Sequence, residues 1–370
     1  FLLNGLYVGG AEKHTLSLIQ RLPRSRFESS VVYLKPVEAL KPQFEAARPA
    51  LLECLGVKWK IDFGAARRLA AWCDRQMIDV IVAVDPYPML VALMAKRFCR
   101  RSRPKIVDVL HMTDLPTVGL EWQYQLVYRW LFKYCDEVFF VSRLQMEHWK
   151  RRGLNCQQMS FIHNGVDETQ FIDSYSSEQK VTCRQAAGFE SDDFVIAICA
   201  SLRPEKGHED LIDTIARIRA QGIAAKALII GDGPRRSSIE SRVNTAGVSA
   251  DVHFTGMLTD VKPWIAAADC VVLPSHSETF SLAALEAMAL CKPVIATRIG
   301  GTEEQISNGQ NGYLFERGDL NAFSGHLITL AKSGDASRLG ANARQRVLRD
   351  FTLDVMVNKY AEALEAHCCG

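Results

Sequence analysis

Short apolar runs rich in β-branched residues alternate with helical periods along the whole chain, and this alternation restricts the fold more than any other feature. It is the mark of parallel sheets flanked by helices. In the first half the strand-like runs are FLLN, SSVVYL, DVIVAV, KIVDVLH and EVFFVS, followed by MSFIHNGVD. In the second they are FVIAICAS, AKALIIG, DVHFTG, CVVLPS, PVIATRIGG and GYLF, each meeting a polar or Gly-rich turn at its carboxyl end. The helix after Gly10 places Thr15, Leu18, Ile19 and Leu22 on one face. The polar stretch from Asp173 to Lys180 interrupts the pattern and reads as a linker, so a length of 370 residues divides into domains at 1–173 and 181–352. In open α/β sheets ligands bind at the carboxyl ends of the strands, and two such domains facing each other make a cleft.

Composition narrows the function classes. Hydrophobic residues at 48% with 23% charged describe a soluble globular chain. The aromatic stretch from Leu126 to Phe140 is broken by Arg129, Lys133, Asp136 and Glu137, and no run of apolar residues is long enough to span a bilayer. The 11 cysteines lack paired metal-type spacing, and Cys199, Cys270 and Cys291 sit in apolar runs. They read as reduced core residues of a cytoplasmic protein. The opening FLLNG reads as the tail of a strand that begins upstream. Residues 1–173 hold 24 Lys and Arg against 18 Asp and Glu, a net of +6, while the remainder nets −4. The excess gathers at Lys96, Arg97, Arg100, Arg101, Arg103 and Lys105, and at Lys150, Arg151 and Arg152. These clusters suggest peripheral contact with an anionic membrane; nucleic acid is not an expected partner.

The most informative segment is SHSETFSLAALEAMA, Ser275 to Ala289, which sets Glu278 and Glu286 eight residues apart where a turn becomes an apolar helix. If both were helical they would stand roughly 12 Å apart along the axis. The amides of Phe280, Ser281 and Leu282 between them would then form an anion cradle. A diphosphate also suits Arg203 and Lys206, two cations in the loop after FVIAICAS. Gly9 and Gly10 precede a helix that begins near Ala11 and would let a ligand approach the backbone. Neither they nor Gly231 and Gly233 form the three-glycine dinucleotide fingerprint, which argues against a dehydrogenase. His111 closes the strand KIVDVLH. Asp-x-Asp and nucleophile motifs for Ser or Cys are absent.

Taken in order, VGGAE (Val8–Glu12), His111, NGVD (Asn164–Asp167), RPEKG (Arg203–Gly207), GDGP (Gly231–Pro234), FTG (Phe254–Gly256), the acid pair, IGGTEE (Ile299–Glu304) and NGYLF (Asn311–Phe315) resemble the retaining glycosyltransferases of family 4, the glycosyl transferases group 1. The resemblance covers nearly the whole chain. It implies an α/β GT-B fold of two Rossmann-like domains with parallel sheets facing across a cleft, the first on the acceptor side and the second on the donor side. Residues 353–370 would form a last helix, from Leu353 to His367, packed back on the first domain.

The implied reaction moves a sugar from a nucleotide diphosphate sugar to an acceptor hydroxyl with retention, in polysaccharide, glycolipid or glycoconjugate synthesis. By the same resemblance Glu278 reads donor-sugar hydroxyls and Glu286 the ribose. Lys206 and Arg203 hold the diphosphate, Gly10 lies by the phosphates or acceptor, and His111 faces the transferred sugar. Gly9, Gly231, Gly233, Met257, Phe280, Ser281 and Leu282 complete the nucleotide site. Where the family commonly has Arg five residues before the Lys, this chain has Ser201, and Arg203 stands three before. No cofactor or metal is expected; the partners are the donor and an acceptor sugar or lipid-linked sugar. The alternatives are a nucleotide-sugar epimerase on the same fold and a non-catalytic nucleotide-sugar binder.

Overall fold

A computed structural model describes residues 1–113 and 117–368. The chain forms two compact units, Phe1–Gly165 with Leu353–Gly370, and Val166–Thr352.

Unit 1 holds seven strands: β1 (Leu2–Leu3), β2 (Val31–Tyr33), β3 (Leu52–Cys54), β4 (Val80–Val84), β5 (Lys105–Leu110), β6 (Glu137–Phe140) and β7 (Gln158–Phe161). They are joined in the order β3-β2-β1-β4-β5-β6-β7, and every pairing is parallel. Unit 2 holds β8 (Phe194–Cys199), β9 (Ala225–Ile230), β10 (Val252–Gly256), β11 (Cys270–Leu273), β12 (Val294–Thr297) and β13 (Gly312–Phe315). Their order is β10-β9-β8-β11-β12-β13, again all parallel. Both orders reverse direction once, between β1 and β4 and between β8 and β11. Those reversals are the topological switch points at which Rossmann-like sheets take their ligands.

The apolar runs are buried because helices cover both faces of each sheet. On one face of unit 1, Ile106, Leu110, Val138 and Phe140 pack with Leu69, Met89 and Trp149. On the other, Val107, Val109 and Phe139 meet Leu18, Met356, Tyr360 and Leu364. The Leu353–Cys368 helix is thus part of unit 1's core, with Tyr360 edge-on to Phe139 at 5.4 Å. Arg21 pairs with Asp354 at 3.1 Å, and Arg26 with Glu365.

Two expectations need correction. The boundary falls at Gly165/Val166 rather than at 173, because Val166 donates its N–H to the Phe351 carbonyl at 2.9 Å and Arg344 donates to that of Phe171 at 3.1 Å. Part of the expected linker is helix: Ser177–Ala186 starts at a reciprocal cap between Ser176 and Gln179. Serines that suggest a loop by composition are also the preferred helix starters. One strand, β3, had no sequence signal, since Leu-Glu-Cys is a three-residue, half-exposed edge. No helix among the described residues is long and apolar enough to cross a membrane.

Candidate functional site

In unit 2 the loops after β8, β9, β11 and β12 are locked into one layer by glycines. Gly207 has φ +67°, and a Cβ there would lie 1.9 Å from the Pro274 carbonyl oxygen. A Cβ on Gly231 (φ +137°) would lie 2.2 Å from the Ala200 oxygen, and one on Gly300 (φ +51°) 1.9 Å from the Glu278 oxygen. Only glycine permits these approaches and these backbone angles together. Backbone bonds add to the lock: His276 N–H donates to the Glu205 carbonyl at 2.7 Å, and Gly301 N–H to that of Thr279 at 2.7 Å. Gly231 and Gly233 therefore act first as spacers that let the β9 loop pass against Ala200 and Leu202.

This layer brings Lys206 onto Glu278, 72 positions away, with Nζ 2.7 Å from Oε1. Ser275 donates to the same oxygen at 3.0 Å. Both partners are largely buried, at 23% and 11% side-chain exposure, so the pair is weakly screened. Nearby, His276 Nε2 lies 2.9 Å from Asp210 Oδ2, a contact the sequence reading missed. Arg203 is exposed at the start of the short Pro204–Lys206 turn, and Met257 is exposed just after β10.

The acid-pair segment differs from expectation. The helix runs Leu282–Ala289, so Glu278 precedes it and the helical spacing of the two acids does not apply. Ser281 is the N-cap, its hydroxyl accepting from Ala284 N–H at 3.3 Å, while its own N–H donates to Gln305 Oε1 at 3.3 Å. Phe280 is buried edge-on against Phe351 at 5.5 Å. The amides left without an intrahelical acceptor are those of Leu282 and Ala283, not Phe280 and Ser281. Glu286 lies inside the helix, half-buried.

In unit 1, His111 follows β5 and its N–H donates to Asp85 Oδ1 at 3.0 Å. Asp85 follows β4 at φ +74°, ψ 164°, a backbone region costly for any residue but glycine. Burial pushes the Asp85 carboxyl up to about 6, and burial pulls the His111 imidazole down to about 4. The His14 ring stands edge-on to His111 at 4.9 Å and to Tyr360 at 5.3 Å. Burial, with His111 beside it, holds His14 well below the usual histidine range. Among the described residues neither His14 nitrogen, nor His111 Nε2, nor the Tyr360 hydroxyl has a hydrogen-bond partner. Gly10 opens the Gly10–Arg21 helix with open space above it, whereas Glu12 folds over Gly9. Burial raises Glu12, with Asp85 as a like-charged neighbour. His14 and Asp85 escaped the sequence reading.

A model described as "Glycosyl transferases group 1" matches residues 180–346, and one described as "Glycosyltransferase Family 4" matches residues 8–170. The chain belongs to the glycosyltransferases of family 4, with the GT-B fold of two Rossmann-like domains. It is 27% identical over 300 residues to the N-acetyl-alpha-D-glucosaminyl L-malate synthase of Bacillus anthracis, covering 81% of this chain and 77% of that one. It is 28% identical over 309 residues to the putative glycosyltransferase EpsD of Bacillus subtilis, covering 81% and 80%. In fold it matches the crystal structure of Anabaena HepE in complex with UDP, at a TM-score of 0.87 and 22% identity over 99% of each chain. The HepE complex with UDP-glucose matches at 0.84 and 22%, over 99% and 98%.

Proposed function

We propose that the chain transfers a sugar from a nucleoside diphosphate sugar, held at the strand ends of unit 2, to an acceptor hydroxyl with retention at the anomeric carbon. The observation that carries this reading is the Lys206–Glu278 pair at the switch point, with Arg203 exposed beside it. Lys206 already faces an anion, and a diphosphate would share that charge. Both bonds to Glu278 fall on Oε1, which leaves Oε2 for a sugar hydroxyl. Glu286, inside the helix, is assigned to the ribose.

The bond between the anomeric carbon and the diphosphate breaks, and the diphosphate leaves with the electron pair. Arg203, Lys206 and the Leu282 and Ala283 amides stabilise its charge. The acceptor oxygen bonds to the same face of the carbon, and its proton passes to the departing phosphate. HepE holds UDP and UDP-glucose, so UDP-sugars are the first donors to try. The acceptor is assigned to a sugar or lipid-linked sugar of polysaccharide, glycolipid or glycoconjugate synthesis.

Titrations with UDP and UDP-glucose test the division of labour. Glu286→Gln should weaken both ligands, because an amide cannot supply two charged acceptors to the ribose. Glu278→Gln should weaken UDP-glucose more than UDP. Equal losses for both ligands in both variants would overturn the assignment. Production of an isomeric donor sugar in the absence of acceptor would favour an epimerase instead.

A further inference from the structure

Unit 1 carries an exposed apolar stripe that the transfer site does not use. Helical residues run from Val118 to Tyr134 through an α segment, a π segment at Tyr124–Tyr128, a short α segment and a final 3-10 turn. Val118, Trp122, Leu126, Trp130 and Tyr134, four residues apart, are 56 to 75% exposed. In a regular α-helix each step of four drifts by roughly 40° around the axis, so such a series would spiral off its face. The wider π segment at Tyr124–Tyr128 turns less per residue and reduces that drift in the middle of the run. The opposite side is anchored, with Tyr124 and Phe132 in unit 1's core.

Among the described residues, the charged side chains on this stripe that have no ion-pair partner are positive. Arg129 and Lys133 are exposed on it, and the Lys133 ammonium sits 4.1 Å from the Trp130 ring centre. Its one acid, Glu121, is bound by Arg152 and by Gln125. A loop of unit 1 repeats the chemistry: Trp59, Ile61 and Phe63 are exposed and interleaved with exposed Lys58 and Lys60. Its acid, Asp62, is engaged by the amides of Ala65 and Lys58. Tyr87 donates to the Trp59 carbonyl at 3.3 Å, and Tyr87 and Tyr128 both pack against the same apolar core of unit 1. The cluster first suspected from sequence is less available, since Lys96 and Lys105 both pair with Asp136, at 3.0 and 3.3 Å.

We propose that the Val118–Tyr134 helical face and the Lys58–Phe63 loop dock unit 1 on the surface of an anionic lipid bilayer. Indole and phenol rings flanked by the exposed Lys58, Lys60, Arg129 and Lys133, with Glu121 paired to Arg152, match the boundary between acyl chains and negative headgroups. So many large apolar side chains left exposed on these two elements are also unusual for a surface that meets only water. The inference is independent of the transfer reading, because vesicle binding needs no donor.

The test uses the full chain and vesicles of phosphatidylcholine with and without phosphatidylglycerol. The unmodified protein should float with the anionic vesicles, more weakly at high salt, and its tryptophan emission should be quenched by brominated acyl chains. Trp59→Ser with Trp130→Ser should weaken binding by about tenfold or more while leaving thermal unfolding and the UDP-induced thermal shift unchanged. Lys60→Glu with Lys133→Glu should remove the preference for anionic lipid. No flotation of the unmodified protein, no bromine quenching, or wild-type binding by the tryptophan variant would each overturn the proposal. Patch-dependent self-association without lipid binding would replace the bilayer with a second copy.

Discussion

Loops after β8, β11 and β12 in unit 2 occupy the same places in their sheet as those after β1, β4 and β5 in unit 1, yet the two sets carry different polar chemistry. In unit 2 the charges of Lys206 and Glu278 meet, His276 Nε2 meets Asp210, and glycines press the loops together. In unit 1 the ends carry His14, His111 and Asp85, groups that burial drives toward their neutral forms and whose ring nitrogens and neighbouring phenol are short of partners. A preformed ion pair suits a ligand that brings charge of its own, because partners can be exchanged without exposing a bare ion. Neutral, desolvated donors and acceptors suit hydroxyls, which can satisfy them without a charge.

The largest test of this contrast is Lys206→Ala. If unit 2 works by charge, turnover at saturating donor should fall on the order of 10²- to 10³-fold, the usual cost of one electrostatic contact to a transition state. Arg203→Ala should show the same loss in smaller measure, since its exposed side chain is more easily replaced by solvent. Near-normal turnover in Lys206→Ala would remove the charged half of the comparison.

The packing that creates unit 2's layer can be measured separately. Gly300→Ala forces a Cβ toward the Glu278 carbonyl at positive φ and should cost roughly 2–4 kcal/mol, combining backbone strain with overpacking. Gly334→Ala has a similar φ of +69° but meets open space, and should cost about 1 kcal/mol. Urea unfolding of the pair isolates the loop contact. Equal losses would show that the layer is not held by close approach.

Unit 1's half is tested by acid. His111 has a folded value near 4 against about 6.5 when unfolded, so the unfolded chain gains a proton first and stability falls as pH drops through that window. His14 acts in the same direction. Asp85, pushed up to about 6, opposes them, because the native carboxyl takes its proton before the unfolded one and stability rises as pH falls from 6 toward the ordinary value. Glu12, raised by burial and then by Asp85 beside it, adds to that opposing arm. His111→Gln should therefore make the chain less acid-sensitive than the wild type, by roughly 3 kcal/mol at most near pH 4 and nothing above pH 7. Urea midpoints at both pH values check this. Parallel wild-type and variant profiles would mean that His111 is not held neutral.

Much of this was legible in sequence, and the losses have physical causes. Apolar runs revealed twelve of the thirteen strands, most of them because burial on both faces leaves few polar positions; β7 and β10, only partly buried, keep a shorter apolar signal. Lys206 and Glu278 were each visible at a strand's carboxyl end, but their contact across 72 residues depends on Gly207 and Gly300 closing the loops. Ser281 was read into the helix although its hydroxyl makes it a cap. Asp85 hid in Asp-Pro, which looks like turn punctuation, and His14 hid four residues before Leu18 on an apolar helix face. The Val118–Tyr134 stripe overlaps the aromatic stretch at Leu126–Phe140, but its exposure does not show in composition, and the π turn at Tyr124–Tyr128 leaves no compositional trace.

The smallest expected effect is that of metal removal. A diphosphate can be neutralised by a divalent ion held on carboxylates, or by protein cations and helix amides. This chain has no Asp-x-Asp pair, and among the described residues no three His, Cys, Asp or Glu side chains gather to hold an ion. It does bring Lys206 onto Glu278, four residues before the Leu282–Ala289 helix, with Arg203 exposed in the same loop as Lys206, and that helix end contributes about half a positive charge. If unit 2's built-in charge is sufficient, turnover should be unchanged after exhaustive EDTA treatment, and added magnesium should restore little because little is lost. Activity abolished by EDTA and recovered with magnesium or manganese would mean that the Lys206–Glu278 layer supplies only part of the charge. The contrast would then shift: Glu278 would have to be retested as a carboxylate that opens from Lys206 toward a metal-bound diphosphate.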